Sequence, residues 1–139
     1  VAGAAYDGVN YIELDTYQNS LASQAITTIG AHYTLTFAYS GRMNVPASSN
    51  GIEVWWNGSL LDTVTANGTS SGNDWHLFSY DVLGTSPTSQ LQFIAVDTSD
   101  SLGGSLDAVS LNAVPEPATL LLVGLGMVGA AVSRKRKQA

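Results

Sequence analysis

The sequence predicts an all-β fold, a β-sandwich followed by one C-terminal hydrophobic helix. Three observations predict it. Residues 1–113 alternate apolar and polar side chains in short runs, the period of half-buried strands. Gly, Asn, Asp and Ser clusters separate those runs at roughly 8 to 15 residues, a spacing that suits a sandwich. Residues 118–132, opening at Ala118 and closing at Val132, are instead uncharged and almost all Leu, Val, Ala, Gly and Met.

The strands are expected in this order. Residues 9–15 open the body, with Tyr11, Glu13 and Asp15 on one face. Residues 24–28 follow. In residues 32–39, Tyr33, Leu35, Phe37 and Tyr39 make one apolar face. Residues 51–56 and 60–66 flank Asn57-Gly58, the strongest hairpin signal in the chain. A polar loop, 67–74, leads to residues 75–82. Leu91 and Phe93 give residues 90–97 an apolar face, and residues 105–112 close the body. No internal repeat is visible.

The length of 139 residues fits one domain, 1–113, and a tail, 114–139. There is no cysteine, which excludes disulfides, thiol nucleophiles and thiolate metal sites. Before the tail, Arg42 is the sole cation against ten carboxylates. Such a body repels nucleic acid and anionic lipid. The tail is a 15-residue apolar run, about 22 Å as a helix and short of a hydrocarbon core of about 30 Å. Arg134, Lys135, Arg136 and Lys137 follow it at once, and their stems can snorkel. This asymmetry sets the C-terminus on the cytoplasmic side of a membrane. A buried core helix is the competing reading of this length.

Two motif matches fail on context. Gly124-Leu125-Gly126-Met127-Val128-Gly129 is a literal G-x-G-x-x-G, yet no acidic residue follows it. Its glycines fit a membrane helix better. Gly68-Thr69-Ser70-Ser71-Gly72 matches G-x-S-x-G but lies in a loop with no helix after it.

Several side chains are candidates for chemistry. Trp55 and Trp56 are adjacent in a strand and must point to opposite sheet faces. One enters the core. The other either covers loop residues or offers a platform on which a sugar ring stacks, with Glu53, Asn57 and Arg42 as polar neighbours. Arg42 either pairs with a carboxylate or contacts that ligand. Glu13 and Asp15 are a strand pair, read as a solvated face or as an acid–base pair. Asp97 and Asp100 flank a Ser-rich turn, where turn hydrogen bonds and a calcium loop compete. His32 and His76 are isolated and read as ordinary strand residues. Asp107 lies at the rim of an apolar face with Val109 and Leu111, where its charge requires N–H donors or a cation.

The tail carries a resemblance. Val114-Pro115-Glu116-Pro117, the apolar run and the Arg-Lys-Arg-Lys ending resemble the PEP-CTERM protein-sorting signal. The resemblance implies export, a single pass of the inner membrane, and processing at Pro115, Glu116 and Pro117 by an exosortase-type membrane enzyme. It then implies delivery to the cell envelope or to exopolysaccharide outside it. An export signal is expected ahead of Val1. The two prolines hold Glu116 extended, which suits a protease-like groove.

The body has a family look as well, in residues 8–15, 23–28, 33–37, Trp75 and 99–111. In order they resemble galactose-binding-like carbohydrate-binding jelly rolls, DUF642-type domains among them. That family has an earlier strand with an Asn-Gly-x-Phe-Glu motif, so an N-terminally truncated jelly roll is expected here. The resemblance implies carbohydrate binding without catalysis. It also implies a structural calcium at Asp107, although the family's partner Glu is not found. Three readings remain: an exported glycan-binding or matrix protein, a purely structural surface protein, and a glycan-active enzyme.

Overall fold

The computed structural model describes residues 3–28 and 31–137. Eight strands precede one helix: β1 (Ile12–Glu13), β2 (Leu21–Thr27), β3 (His32–Ser40), β4 (Ile52–Trp56), β5 (Ser59–Val64), β6 (His76–Leu83), β7 (Thr88–Ala95), β8 (Ser105–Ala113) and α1 (Ala118–Lys137). They form two four-stranded antiparallel sheets, in the orders β1-β8-β3-β6 and β2-β7-β4-β5. Every connection except the β4–β5 hairpin and the run into α1 crosses from one sheet to the other. This is jelly-roll order, as expected.

Alternation places the core. Leu35, Phe37 and Tyr39 of β3 point inward and face Ile52, Val54 and Trp56 of β4. Leu91, Phe93 and Ala95 of β7, Val82 of β6 and Leu106 of β8 complete the layer. Phe37 is its centre, stacked on Phe78 at 5.4 Å and edge-on to Phe93 at 5.1 Å between ring centroids. Full burial of each such side chain contributes about 1.5–3 kcal/mol.

The expected strands all exist, with moved ends. Asn57 (φ 49°) and Gly58 (φ 77°) form the hairpin turn, both in the left-handed region that a tight primed turn demands. The first strand shrinks from 9–15 to two residues. Gly8 at φ 65° breaks its start, and only an isolated Asp15–Asn19 bridge continues beyond Glu13. β5 stops at Val64 because the next two residues turn to other partners: Thr65 Oγ1 donates to the Ala47 carbonyl, and Ala66 N–H donates to the Tyr39 hydroxyl. β7 ends before Asp97, whose φ of 71° no strand accepts.

Helix α1 begins directly after Pro117, as the prolines require. Leu122, Val123, Leu125, Met127 and Val128 are exposed, so this is not a buried core helix. Among the described residues no helix is long and apolar enough to cross a membrane. The side chains of Val132, Arg134, Lys135, Arg136 and Lys137 lie outside the described residues.

Candidate functional site

The two adjacent tryptophans separate as alternation demands. Trp56 is 6% exposed, fills the core, and donates from Nε1 to the Leu83 carbonyl at 2.9 Å. Trp55 is half-buried on the outer face of the second sheet. Its Nε1 donates to Glu53 Oε2 at 2.8 Å, which fixes both side chains on that face. Strand register shows what surrounds them. One row across the sheet reads Ser23, Gln92, Trp55, Leu60, and the next reads Leu21, Ile94, Glu53, Thr63. Gln90 lies beside Ser23 and donates to its hydroxyl at 3.2 Å. Four strands at the usual spacing make a surface about 14 Å wide. An aromatic ring therefore lies among amides, hydroxyls and one carboxylate. Asn57 does not join it as a free polar group, because its side chain caps the hairpin against Gln90 N–H and Ser89 Oγ.

Arg42 lies elsewhere. It follows the end of β3, in the other sheet, and its Nη1 pairs with Glu13 Oε1. The same nitrogen donates to the Ser101 carbonyl at 3.3 Å. The Glu13 side chain is only 1% exposed, and its Oε1 also accepts the Gly103 N–H. Of the two readings of Arg42, the structure places it in a carboxylate pair and does not bring it to the tryptophan.

Glu13 and Asp15 are buried rather than solvated. Loop 99–103 closes over them, and Asp15 Oδ2 accepts the Asp100 N–H at 3.1 Å. Gly103 is required there, since a Cβ would meet the Asp15 Cβ at 2.6 Å. Asp100 takes a turn role, accepting from Ser49 Oγ and the Leu102 N–H. The Asp97 carbonyl accepts from Asn19. His32 is an exposed strand residue, and His76 lies on the surface beside Asp74.

Asp107 holds the N-terminal segment. Its Oδ2 accepts the N–H groups of Tyr6 at 2.8 Å and Asp7 at 3.0 Å, and its Oδ1 accepts that of Ala108. Loss of solvent pushes its pKa up, but these three donors outweigh that and hold the carboxyl below its ordinary range. Both oxygens accept from N–H groups, which supply the compensation that a charge at this position requires. The donors are the backbone N–H groups of Tyr6, Asp7 and Ala108. Sequence patterning had no signal for a return contact across 100 residues. Ala4 completes the strap by accepting from Trp75 Nε1 and Asn73 Nδ2, and Tyr6 and Tyr11 meet the Trp75 ring edge-on.

The tail leaves the sandwich abruptly. Val114 N–H donates to the His32 carbonyl at 2.8 Å, and Pro115, Glu116 and Pro117 are exposed and non-helical before α1 starts.

Comparison with known proteins finds a motif in the tail and a likeness of fold. Residues 113–137 match the family model for the PEP-CTERM protein-sorting motif. No curated protein matches the chain. Among solved structures, a family 35 carbohydrate binding module from an environmental isolate aligns with a TM-score of 0.54 at 16% identity, covering 83% of this chain and 88% of that one. The corresponding module of Paenibacillus barcinonensis aligns at 0.51 and 18% identity, covering 82% and 88%. At such identities the likeness is one of fold. The chain is a jelly roll with the fold of those modules, carrying a PEP-CTERM motif that marks it for export and membrane-associated sorting.

Proposed function

We propose that the sandwich is a non-catalytic glycan-binding module of the cell surface or extracellular matrix, associated with exopolysaccharide. An exosortase-type membrane enzyme acts on its tail at Pro115-Glu116-Pro117. The observation that carries the binding reading is Trp55, a tryptophan on an open sheet face beside Glu53, Gln92 and Ser23. The apolar face of a sugar ring packs on an indole while amides and a carboxylate take its hydroxyls. The non-catalytic reading is supported by Glu13 and Asp15. The one strand pair suited to acid–base work is closed under loop 99–103, and Arg42 neutralises half of it. In the membrane step, the uncharged part of α1 inserts and its cationic end stays at the cytoplasmic surface.

Affinity electrophoresis of the full chain in neutral detergent, through gels containing soluble polysaccharides, tests the binding reading. At least one polymer should retard the wild-type protein, and Trp55→Ala should abolish the retardation. Trp56→Ala is expected to destabilise the core instead. Retardation unaffected by Trp55→Ala, or none with any polymer, removes the glycan face and leaves a structural surface protein.

A further inference from the structure

We infer that the Trp55 face selects uncharged glycans and discriminates against acidic ones, an inference that rests on the glycan-binding reading above. Recognition of a uronate, sulfate or phosphate needs a guanidinium, an ammonium, a bound cation or a converging set of N–H donors. The body has one cationic side chain, Arg42, and it is spent. Its Nη1 is bound to Glu13, whose side chain is 1% exposed, and to the Ser101 carbonyl, in the opposite sheet. The other four cations of the chain follow the apolar run and belong to the sorting segment.

The face itself adds a fixed negative charge. Glu53 is held beside the platform by the Trp55 ring nitrogen, and an ionised carboxylate only accepts hydrogen bonds. It suits sugar hydroxyls and repels a uronate stacked on the same indole. The rest of the two rows is neutral: Ser23, Gln92 and Thr63 with the apolar Leu21, Ile94 and Leu60. The nine other carboxylates of the body deepen the unfavourable field at low salt. Specificity here comes as much from the charge that repels as from the ring that attracts.

The test compares neutral polymers (xylan, mannan, galactan, β-glucan) with acidic ones (alginate, polygalacturonate). The full chain in neutral detergent is titrated at low and high salt, once with EDTA and once with millimolar calcium. The expected result is binding of at least one neutral polymer, with little salt dependence and at least tenfold preference over every acidic one in all conditions. Glu53→Gln should narrow that preference while retaining neutral binding. An acidic polymer bound as tightly as the neutral ones, with or without calcium, and lost in Trp55→Ala, overturns the charge selectivity while the glycan face stands. Binding of no polymer, or binding indifferent to Trp55→Ala, overturns the glycan face and this inference with it.

Discussion

Two buried polar groups, the Tyr39 hydroxyl and the Glu13 carboxylate that Arg42 pairs with, set how individual residues of this sandwich respond to change. Tyr39 lies in the core at 1% exposure, donates its hydroxyl to the Asn50 carbonyl at 2.9 Å and accepts the Ala66 N–H at 3.0 Å. Burial is the main reason its pKa is pushed up to about 12. Tyr39→Phe leaves both backbone groups without that partner, and should cost about 1–3 kcal/mol in a urea melt. The sign of the pH effect follows from the raised value. The stabilisation is whole below pH about 10, the ordinary tyrosine range, and is lost as pH climbs toward 12. Wild type should therefore lose stability faster than Tyr39→Phe above pH 10. Parallel alkaline limbs would refute the assignment. Arg42 is the second case. Arg42→Met strands Glu13 as a buried charge and should cost about 3 kcal/mol, while Arg42→Met with Glu13→Leu should recover most of it. A single variant within 0.5 kcal/mol of wild type, about the scatter of ordinary surface substitutions, would show the pair to be unimportant.

Among the elements, the strands were legible and the segments that fold back on them were not. Period two in residues 32–39 and 90–97 marked the two inward faces, and Asn57-Gly58 marked the hairpin, because burial and turn geometry act locally. The adjacent tryptophans announced one core and one outer residue, but only the register reveals that Gln92, Ser23 and Leu60 share the row with Trp55. Glu13 read as a solvated strand residue because nothing local indicates that loop 99–103 will cover it. Likewise the strap of residues 3–11 has no apolar period, and it is held by hydrogen bonds to Asp107 and by ring contacts with Trp75. That strap gives an element-scale prediction. Asp107→Ala removes the acceptor of two amide N–H groups, so exchange at Tyr6 and Asp7 should quicken at least tenfold while the β3 and β7 amides stay protected. The carboxyl of Asp107 is held below its ordinary value, so its contribution is present above pH about 4 and fades as pH drops through the folded pKa. Strap amides in wild type should loosen over that acid range before the core melts. If exchange at Tyr6 and Asp7 is the same in wild type and variant, the latch does not exist.

At the scale of the whole molecule, two units with opposite solvent preferences meet across a very short joint. The last tie to the sandwich is Val114 N–H to the His32 carbonyl, and α1 starts at Ala118. Only Pro115, Glu116 and Pro117 lie between, a reach of about 10 Å when extended. Any membrane enzyme that acts on this motif must work with a folded jelly roll directly above it. The prolines serve here by refusing to join either neighbour: they supply no N–H to extend β8 and stop α1 from growing backward. Changing all three residues to alanine should leave membrane fractionation unaltered and abolish processing in a host that carries the sorting enzyme, read as the mass of the mature protein. The short reach makes a second expectation. A Gly-Ser-Gly-Ser spacer placed between Val114 and Pro115 adds roughly 11 Å of flexible chain and lifts the sandwich from the membrane surface. If steric crowding limits the enzyme's approach, pulse-chase labelling should show the spacer variant maturing several-fold faster than wild type. A slower or unchanged rate would mean that the enzyme reads the end of β8 together with the motif, so that the joint is short because the folded edge is part of the recognition element.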